Sequence, residues 1–358
     1  MRALVASLGS GLEFGLRVAA SLSTTYELMA SNTASDVIEA IQLIVLAHQF
    51  DVDNSAAAVR RALSLVFSRE PAVGEAVLEG AQTLYLRPGD TPMDSAMRLA
   101  GAARGAALGT LTALEDIIAK LVSAQPPVPI SPSFGLNPRF VATASVQVRL
   151  LPATGQVVRA LWTLVADRSA TLEAVESKRA ALAVLGMAAA AQPEVVRPYL
   201  STLLQVGFSE GPSGDALLTR YACIAIQRLA LPGGRRAGVE LLPSDHAVFA
   251  AIRKLLVNSS LADQGWYSAA EQAVTAVFMV CTDPEAFSAG VLRDMAGAGA
   301  LPPSGGGGAE EPAVGVAIHS GEVSESRLAR FLYVLGHSAL KQLVYTEGLI
   351  KVRGRARG

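Results

Sequence analysis

Along most of the chain apolar residues return every three or four positions, and convincing runs that alternate apolar with polar residues are absent. That period belongs to helices whose one face is buried. It predicts helices over 12–31, 36–50, 54–68, 71–87, 92–123, 138–150, 154–168, 171–192, 194–208, 213–231, 244–258, 264–282, 284–298 and 325–350. The expectation is an all-α protein.

One stretch departs from the ordinary surface-helix pattern. In SDVIEAIQLIVLAHQF (35–50), Glu39, Gln42 and Gln49 share a narrow stripe, while Val37, Ile38, Ile41, Leu43, Ile44, Val45, Leu46 and Phe50 cover most of the remaining circumference. Ser35 or Asp36 can cap its first turn, with Glu39 placed as in a capping box. A helix this apolar is expected to be walled in on more than one side. A stack of helix pairs provides that setting, because an inner helix there meets its pair partner and both neighbouring repeats.

The junctions support such a stack. SREPAV (68–73), AAQPEVV (190–196) and CTDPEAF (281–287) each put a proline where one helix stops and the next begins, a position whose missing N–H costs nothing. Pro71 to Pro193 and Pro193 to Pro284 span 122 and 91 residues, which divide into units of about 41 to 46, near the length of HEAT and armadillo repeats. The expected architecture is a HEAT/armadillo-like α-solenoid of stacked antiparallel helix pairs. Two stretches interrupt it: SAQPPVPISPSFGLNP and the Gly/Pro-rich segment around GGGG. The organisation is then helical repeats over 1–122, a proline-rich connector over 123–138, further repeats over 139–296, a disordered insertion over 297–324, a terminal helix over 325–350 and a basic tail over 351–358.

Composition raises a membrane protein as a rival, since 51% of the 358 residues are hydrophobic and the mean hydropathy is +0.37. Run lengths remove it. Ala40 to Phe50 carries no charge for only 11 residues, and Leu121 to Pro138 is broken by five prolines, whereas a spanning helix needs about 20. Alanine-rich helices in close contact account for the hydropathy without lipid, and aromatics are only 5%. Glu13 and scattered glycines interrupt the apolar N-terminus, so a signal peptide is not expected. Cys223 and Cys281, each inside an apolar helical pattern, fit buried thiols in a reducing compartment. GAARGAALG (101–109) spaces three glycines four apart, which on one helix would allow close backbone packing.

No catalytic constellation emerges. The glycines at 305–308 follow no strand and precede no Gly-Lys-Ser/Thr. His48, His246, His319 and His337 are far apart, without metal-ligand spacing. No GxSxG elbow occurs. The expectation is a protein that is not an enzyme, with no cofactor and no metal. Basic residues are the remaining signal: Arg60 and Arg61 in AAAVRRALSLVFSRE, Arg69 beyond them, Arg235 and Arg236, and the arginines of the C-terminus. With a net charge of −1, contact with phosphate would be local and salt-sensitive.

SDVIEAIQLIVLAHQF, followed by VRRALSLVFSREPAVGEAVLEGAQTLYL (59–86), resembles the HEAT-repeat, non-SMC subunit 1 of condensin. AVLGMAAAAQPEVVRPYLSTLLQVG (183–207) and FLYVLGHSALKQLVYTE (331–347) resemble further segments of that family, in the family's order. The resemblance covers only the middle portion of that subunit, and aliphatics such as those of LIVLAHQF replace family aromatics. It implies a non-catalytic scaffold acting in mitotic chromosome condensation, with a kleisin subunit, the SMC ATPase pair and DNA or chromatin as partners, and no membrane. It also implies residence in the nucleus and on chromosomes, with the cytoplasm in interphase. Arg60, Arg61 and Arg69 fall in the matched strings and are the candidate DNA or partner contacts. An importin- or adaptin-like transport adaptor, or a phosphatase scaffold, is the alternative within the same fold.

Overall fold

Proline and side-chain caps set the starts of six helices. Pro71, Pro92 and Pro284 each occupy the first turn of a helix, where φ is already helical and no backbone donor is lost. Thr91 and Asp94 form a reciprocal capping box. Thr171, Asp215, His246 and Asp283 each accept an N–H of the turn that follows.

The computed structural model describes residues 2–87, 89–123, 150–169, 171–209, 214–230, 241–300 and 325–355. The chain divides into two compact units, residues 1–192 and 193–358. The first holds α1 (Arg2–Leu28), α2 (Ala34–Gln49), α3 (Ser55–Leu63), α4 (Pro71–Tyr85), α5 (Pro92–Ala103), α6 (Leu108–Val122), α7 (Leu150–Ala166) and α8 (Leu172–Ala189). The second holds α9 (Leu200–Gly207), α10 (Ala216–Gln227), α11 (Ala247–Asn258), α12 (Asp263–Val280), α13 (Pro284–Met295) and α14 (Glu325–Arg355). Among the described residues there is no β-strand, and the protein is all-α. A β-bridge between Leu242 and Cys281 ties the approach to α11 to the end of α12.

Alternate helices pack together. In the second unit α10 lies on α12 and α12 on α14, while α11 lies on α13. In the first, α2 packs on α4, α5 on α7 and α8, and α6 on α8. Two offset layers of this sort are the packing of an α-solenoid. Small residues set how close the helices come. A Cβ added at Gly80 would stand 2.8 Å from Val45 Cγ2, one at Gly265 2.5 Å from Ala216 Cβ, and one at Gly207 2.3 Å from Ala222 Cβ. Large aromatics are used sparingly: Trp266 is fully buried and its indole N–H donates to the Leu255 carbonyl at 3.0 Å, and Phe249 meets the Phe287 ring at 5.4 Å.

Several expectations need correction. SDVIEAIQLIVLAHQF is a helix, but it is walled on one broad side, not all round. Val37, Ala40, Ile41, Ile44, Val45 and Ala47 are buried, whereas Leu43, Leu46 and Phe50 are exposed, and Glu39 too. Thr33, not Ser35 or Asp36, stands at its N-cap, without a side-chain hydrogen bond. The single helix expected over 92–123 is two. Gly105 takes φ +63, a left-handed conformation that glycine tolerates and that ends α5. Gly101, Gly105 and Gly109 therefore form no packing face, and a Cβ at each would meet nothing within 4 Å. Pro193 opens a 3-10 turn instead of a helix, and α9 starts only at Leu200. Residues 296–300 form a π turn, and α14 runs on through Arg355 into the expected basic tail. Residues 124–149 of the connector and of the helix expected over 138–150, residues 301–324 of the insertion, Arg235, Arg236, His319 and Arg357 lie outside the described residues.

Two substitutions test this packing. Ile41→Asp puts an unpaired carboxylate at a fully buried position on α2, and a loss of several kcal/mol is expected. The same change at exposed Leu46 serves as the control, and urea titration monitored by circular dichroism separates them. Gly207→Ala gains helix propensity, yet its methyl collides with Ala222. A net loss of about 1–3 kcal/mol in the same titration is expected.

Candidate functional site

Helix α3 is short and amphipathic, with Ala58, Val59, Ala62 and Leu63 buried. Burial of that face puts Arg60 and Arg61 on the outside, both exposed. Adjacent residues on a helix point about 100° apart, and the two arginines diverge accordingly. Arg61 sits over the Tyr26 ring of α1, 5.1 Å from its centroid. Arg60 lies toward the end of α4, where its charge lowers the Tyr85 pKa against burial, which pushes that phenol up to about 12. Arg69 is not on α3. Ser64–Phe67 tighten into a 3-10 turn, and Arg69 stands exposed in the bend before Pro71. The structure thus groups Arg60 and Arg61 and sets Arg69 on a separate turn.

Two further cations join this end of the unit that no local sequence pattern reveals. Arg87 follows α4, and Arg98 on α5 is paired with Asp90. The Arg98 pKa is lowered by burial and then by the Arg87 charge. His48 is lowered by burial too, with Asp51 opposing the shift and Arg87 adding to it. Its Nδ1 lies 3.1 Å from the Ser55 hydroxyl, linking the end of α2 to the start of α3. Arg87 Nε is buried without a hydrogen-bond partner. Positions 48, 60 and 98 lie on α2, α3 and α5 and position 87 just beyond α4, so only the fold brings them to the C-terminal end of α4.

The second unit contains a different construction. Arg330 of α14 donates to Asp263 Oδ1 at 2.8 Å and to the Ser259 and Leu261 carbonyls, and it covers the Trp266 ring at 4.8 Å. Ser326 donates to both Asp263 oxygens. Tyr333 stacks on His337, and Trp266, Tyr267 and Tyr333 meet edge to face. The polar groups are spent on one another, which makes this a clasp between α12 and α14. Among the described residues no group of three or more His, Cys, Asp or Glu side chains could hold a metal ion. No helix among them is long and apolar enough to cross a membrane. Cys223 is fully buried and its thiol is pushed up by burial, the reverse of what a nucleophile needs.

No family model matches the chain. Similar curated proteins are condensin-1 complex subunit CAP-D2 of Arabidopsis thaliana, 29% identical over 357 residues, and condensin complex subunit 1 of Homo sapiens, 29% identical over 305 residues. A third is condensin complex subunit 1 of Saccharomyces cerevisiae, 21% identical over 360 residues. These alignments take in 98%, 82% and 97% of this chain but 23%, 20% and 29% of the relatives. The chain therefore spans between a fifth and a third of the length of the curated relatives it matches. Across that span, and over most of its own residues, the chain is similar to part of condensin complex subunit 1.

Proposed function

We propose that the chain serves as a non-catalytic helical scaffold within a condensin-type complex, acting in mitotic chromosome condensation in the nucleus and on chromosomes. The observation that carries this reading is the likeness to condensin complex subunit 1 across 98% of the chain. Stacked helices offer long surfaces to an extended peptide and to a phosphate backbone and need no active site. The partners that follow are a kleisin subunit, the SMC ATPase pair reached through the complex, and DNA.

Affinity purification of the tagged chain from dividing cells, with partners identified by mass spectrometry, tests the assignment. Recovery of an SMC pair and a kleisin is the expected result. Recovery of transport cargo or of a phosphatase would overturn the function and leave the fold intact.

The DNA-facing surface in this reading is the arginine-bearing edge of the first unit, with Arg60, Arg61 and Arg69 as contacts. Arg60→Glu with Arg61→Glu is expected to weaken DNA binding and to reduce the dependence of log K on log salt by roughly one for each phosphate no longer neutralised. Exposed Arg61 gives up only its stacking on Tyr26, about 0.5–1 kcal/mol, so the thermal midpoint should move little. Unchanged binding curves across a salt series would assign these arginines to the surface alone.

A further inference from the structure

Arg330 is held by the Asp263 carboxylate, by backbone carbonyls and by the Trp266 ring that it covers. Farther along the same two helices the carboxylate and the rings recur, and the guanidinium does not. Asp263, Tyr267 and Glu271 stand four apart on one side of α12, and Arg330, Tyr333 and His337 follow one side of α14. The register that sets Asp263 against Arg330 sets Glu271 against His337. An imidazole reaches less far than a guanidinium: His337 Nε2 stops 4.0 Å from Glu271 Oε1, beyond hydrogen-bond distance.

Aromatic rings wall this second position. Tyr267 and Tyr333 meet edge to face at 5.0 Å, and Tyr333 stacks on His337 at 5.3 Å. All three rings are half-buried, and the Glu271 side chain is 47% exposed. Among the described residues no hydrogen bond reaches the Glu271 carboxylate or either phenol oxygen, and Glu271 receives the Thr275 hydroxyl only on its backbone carbonyl. The Tyr333 phenol is pushed up by burial first, and then by Glu271 and Tyr267, so the oxygens of all three gather in one place. Asp263 and Arg330 neutralise each other next to it, which leaves the Glu271 charge to set the local sign.

Rings beside a single carboxylate suit a flat, weakly hydrated cation, and a guanidinium is the side chain of that description. Trp266 and Asp263 already hold one in this way at the inner end of the same row of rings. Residues 301–324, which lead into α14, contain no Lys or Arg, so that segment cannot supply a second. We infer that the patch of Tyr267, Glu271, Tyr333 and His337 binds the guanidinium of an arginine on a partner peptide. The inference rests on contacts within the second unit and needs neither the condensin likeness nor DNA.

Fluorescence anisotropy of a labelled peptide of three Gly-Arg repeats, titrated with the full chain, tests it, with a Gly-Glu peptide of equal length as the comparison. Saturable binding of the arginine peptide alone is expected. Glu271→Gln removes the charge at nearly constant shape, and Tyr267→Leu removes one ring. Each should weaken binding by about fivefold or more, while Glu75→Gln, at an exposed position on α4, should change nothing. The melting temperature should not move with Glu271→Gln, and that variant decides the matter where loss of the Tyr267 ring also destabilises the chain. No saturable binding, equal binding of the Gly-Glu peptide, or binding indifferent to Glu271→Gln would overturn the inference. So would equal losses from Glu75→Gln and Glu271→Gln, or a large fall in melting temperature with Glu271→Gln, which would assign the carboxylate to the fold. A marked gain in affinity on Arg235→Ala with Arg236→Ala would overturn it as well, because the chain's own arginines would then fill the patch. Since the mixture contains no kleisin, SMC protein or DNA, its outcome is independent of the purification from dividing cells.

Discussion

Close approach of helix backbones is the constraint on which the rest of this protein depends. At Gly80, Gly207 and Gly265 a side chain would intrude on Val45, Ala222 or Ala216, so these helices sit at a spacing that only small residues permit. Ala40, Ala62, Ala81, Ala100, Ala113, Ala181, Ala222, Ala225, Ala270 and Ala273 extend the same rule through both units. Alanine buries little area per residue, and many such contacts are needed to replace a few large ones. The high hydropathy and the scarcity of aromatics follow from that choice. Trp266 and Phe249 are exceptions, placed where α11, α12 and α13 leave room for a ring.

Where small residues leave the packing unspecific, polar groups fix it. Asp263 is the clearest case. Hydrogen bonds from Ser326 and Arg330 hold its carboxylate below the ordinary Asp value near 3.8. Because the folded value is the lower one, what the clasp contributes is complete above about pH 3.8 and is lost as pH falls through the folded value. The clasp therefore operates unaltered at neutral pH. It fixes α14 against α12 in rotation, since Arg330 can reach Ser259, Leu261 and Trp266 only when Val334 and Ser338 also face inward. That rotation is what turns Leu332, Leu335 and Leu343 outward.

Periodicity made the helices legible, and prolines located several starts, because both act locally. Pro71 and Pro284 begin helices as the sequence indicates, while Pro193 does not: Pro198, five residues on, has no N–H to give the 194 carbonyl and its ring clashes there, so an α-helix opened at Pro193 cannot run through it. The glycines at 101, 105 and 109 mislead for a related reason. Their spacing is right for a packing face, but whether Gly105 adopts φ +63 depends on how α5 and α6 are placed. In α2, hydrophobicity alone could not say which apolar residues face a neighbour. Ile41 and Ile44 do, Leu43 and Leu46 do not, and the difference lies in where α3 and α4 stand. The condensin likeness was readable from strings such as VRRALSLVFSRE, whereas Arg87 and Arg98 were not, since they acquire a shared environment only through the fold.

A chain with net charge −1 can engage a polyanion only through a local field. Affinity for DNA that rested on total charge would be near zero here, and affinity that rested on one flexible tail would fix no orientation. In α3, burial of Ala58, Val59 and Ala62 commits Arg60 and Arg61 to solvent on one helix. Tyr26 below Arg61 narrows the volume that side chain explores, while the charge of Arg98 is compensated by Asp90. Such a field decays over about one Debye length, near 8 Å at physiological ionic strength and shorter as salt rises. Under the proposed function, contact of this kind is reversible and gains strength from other contacts made at the same time.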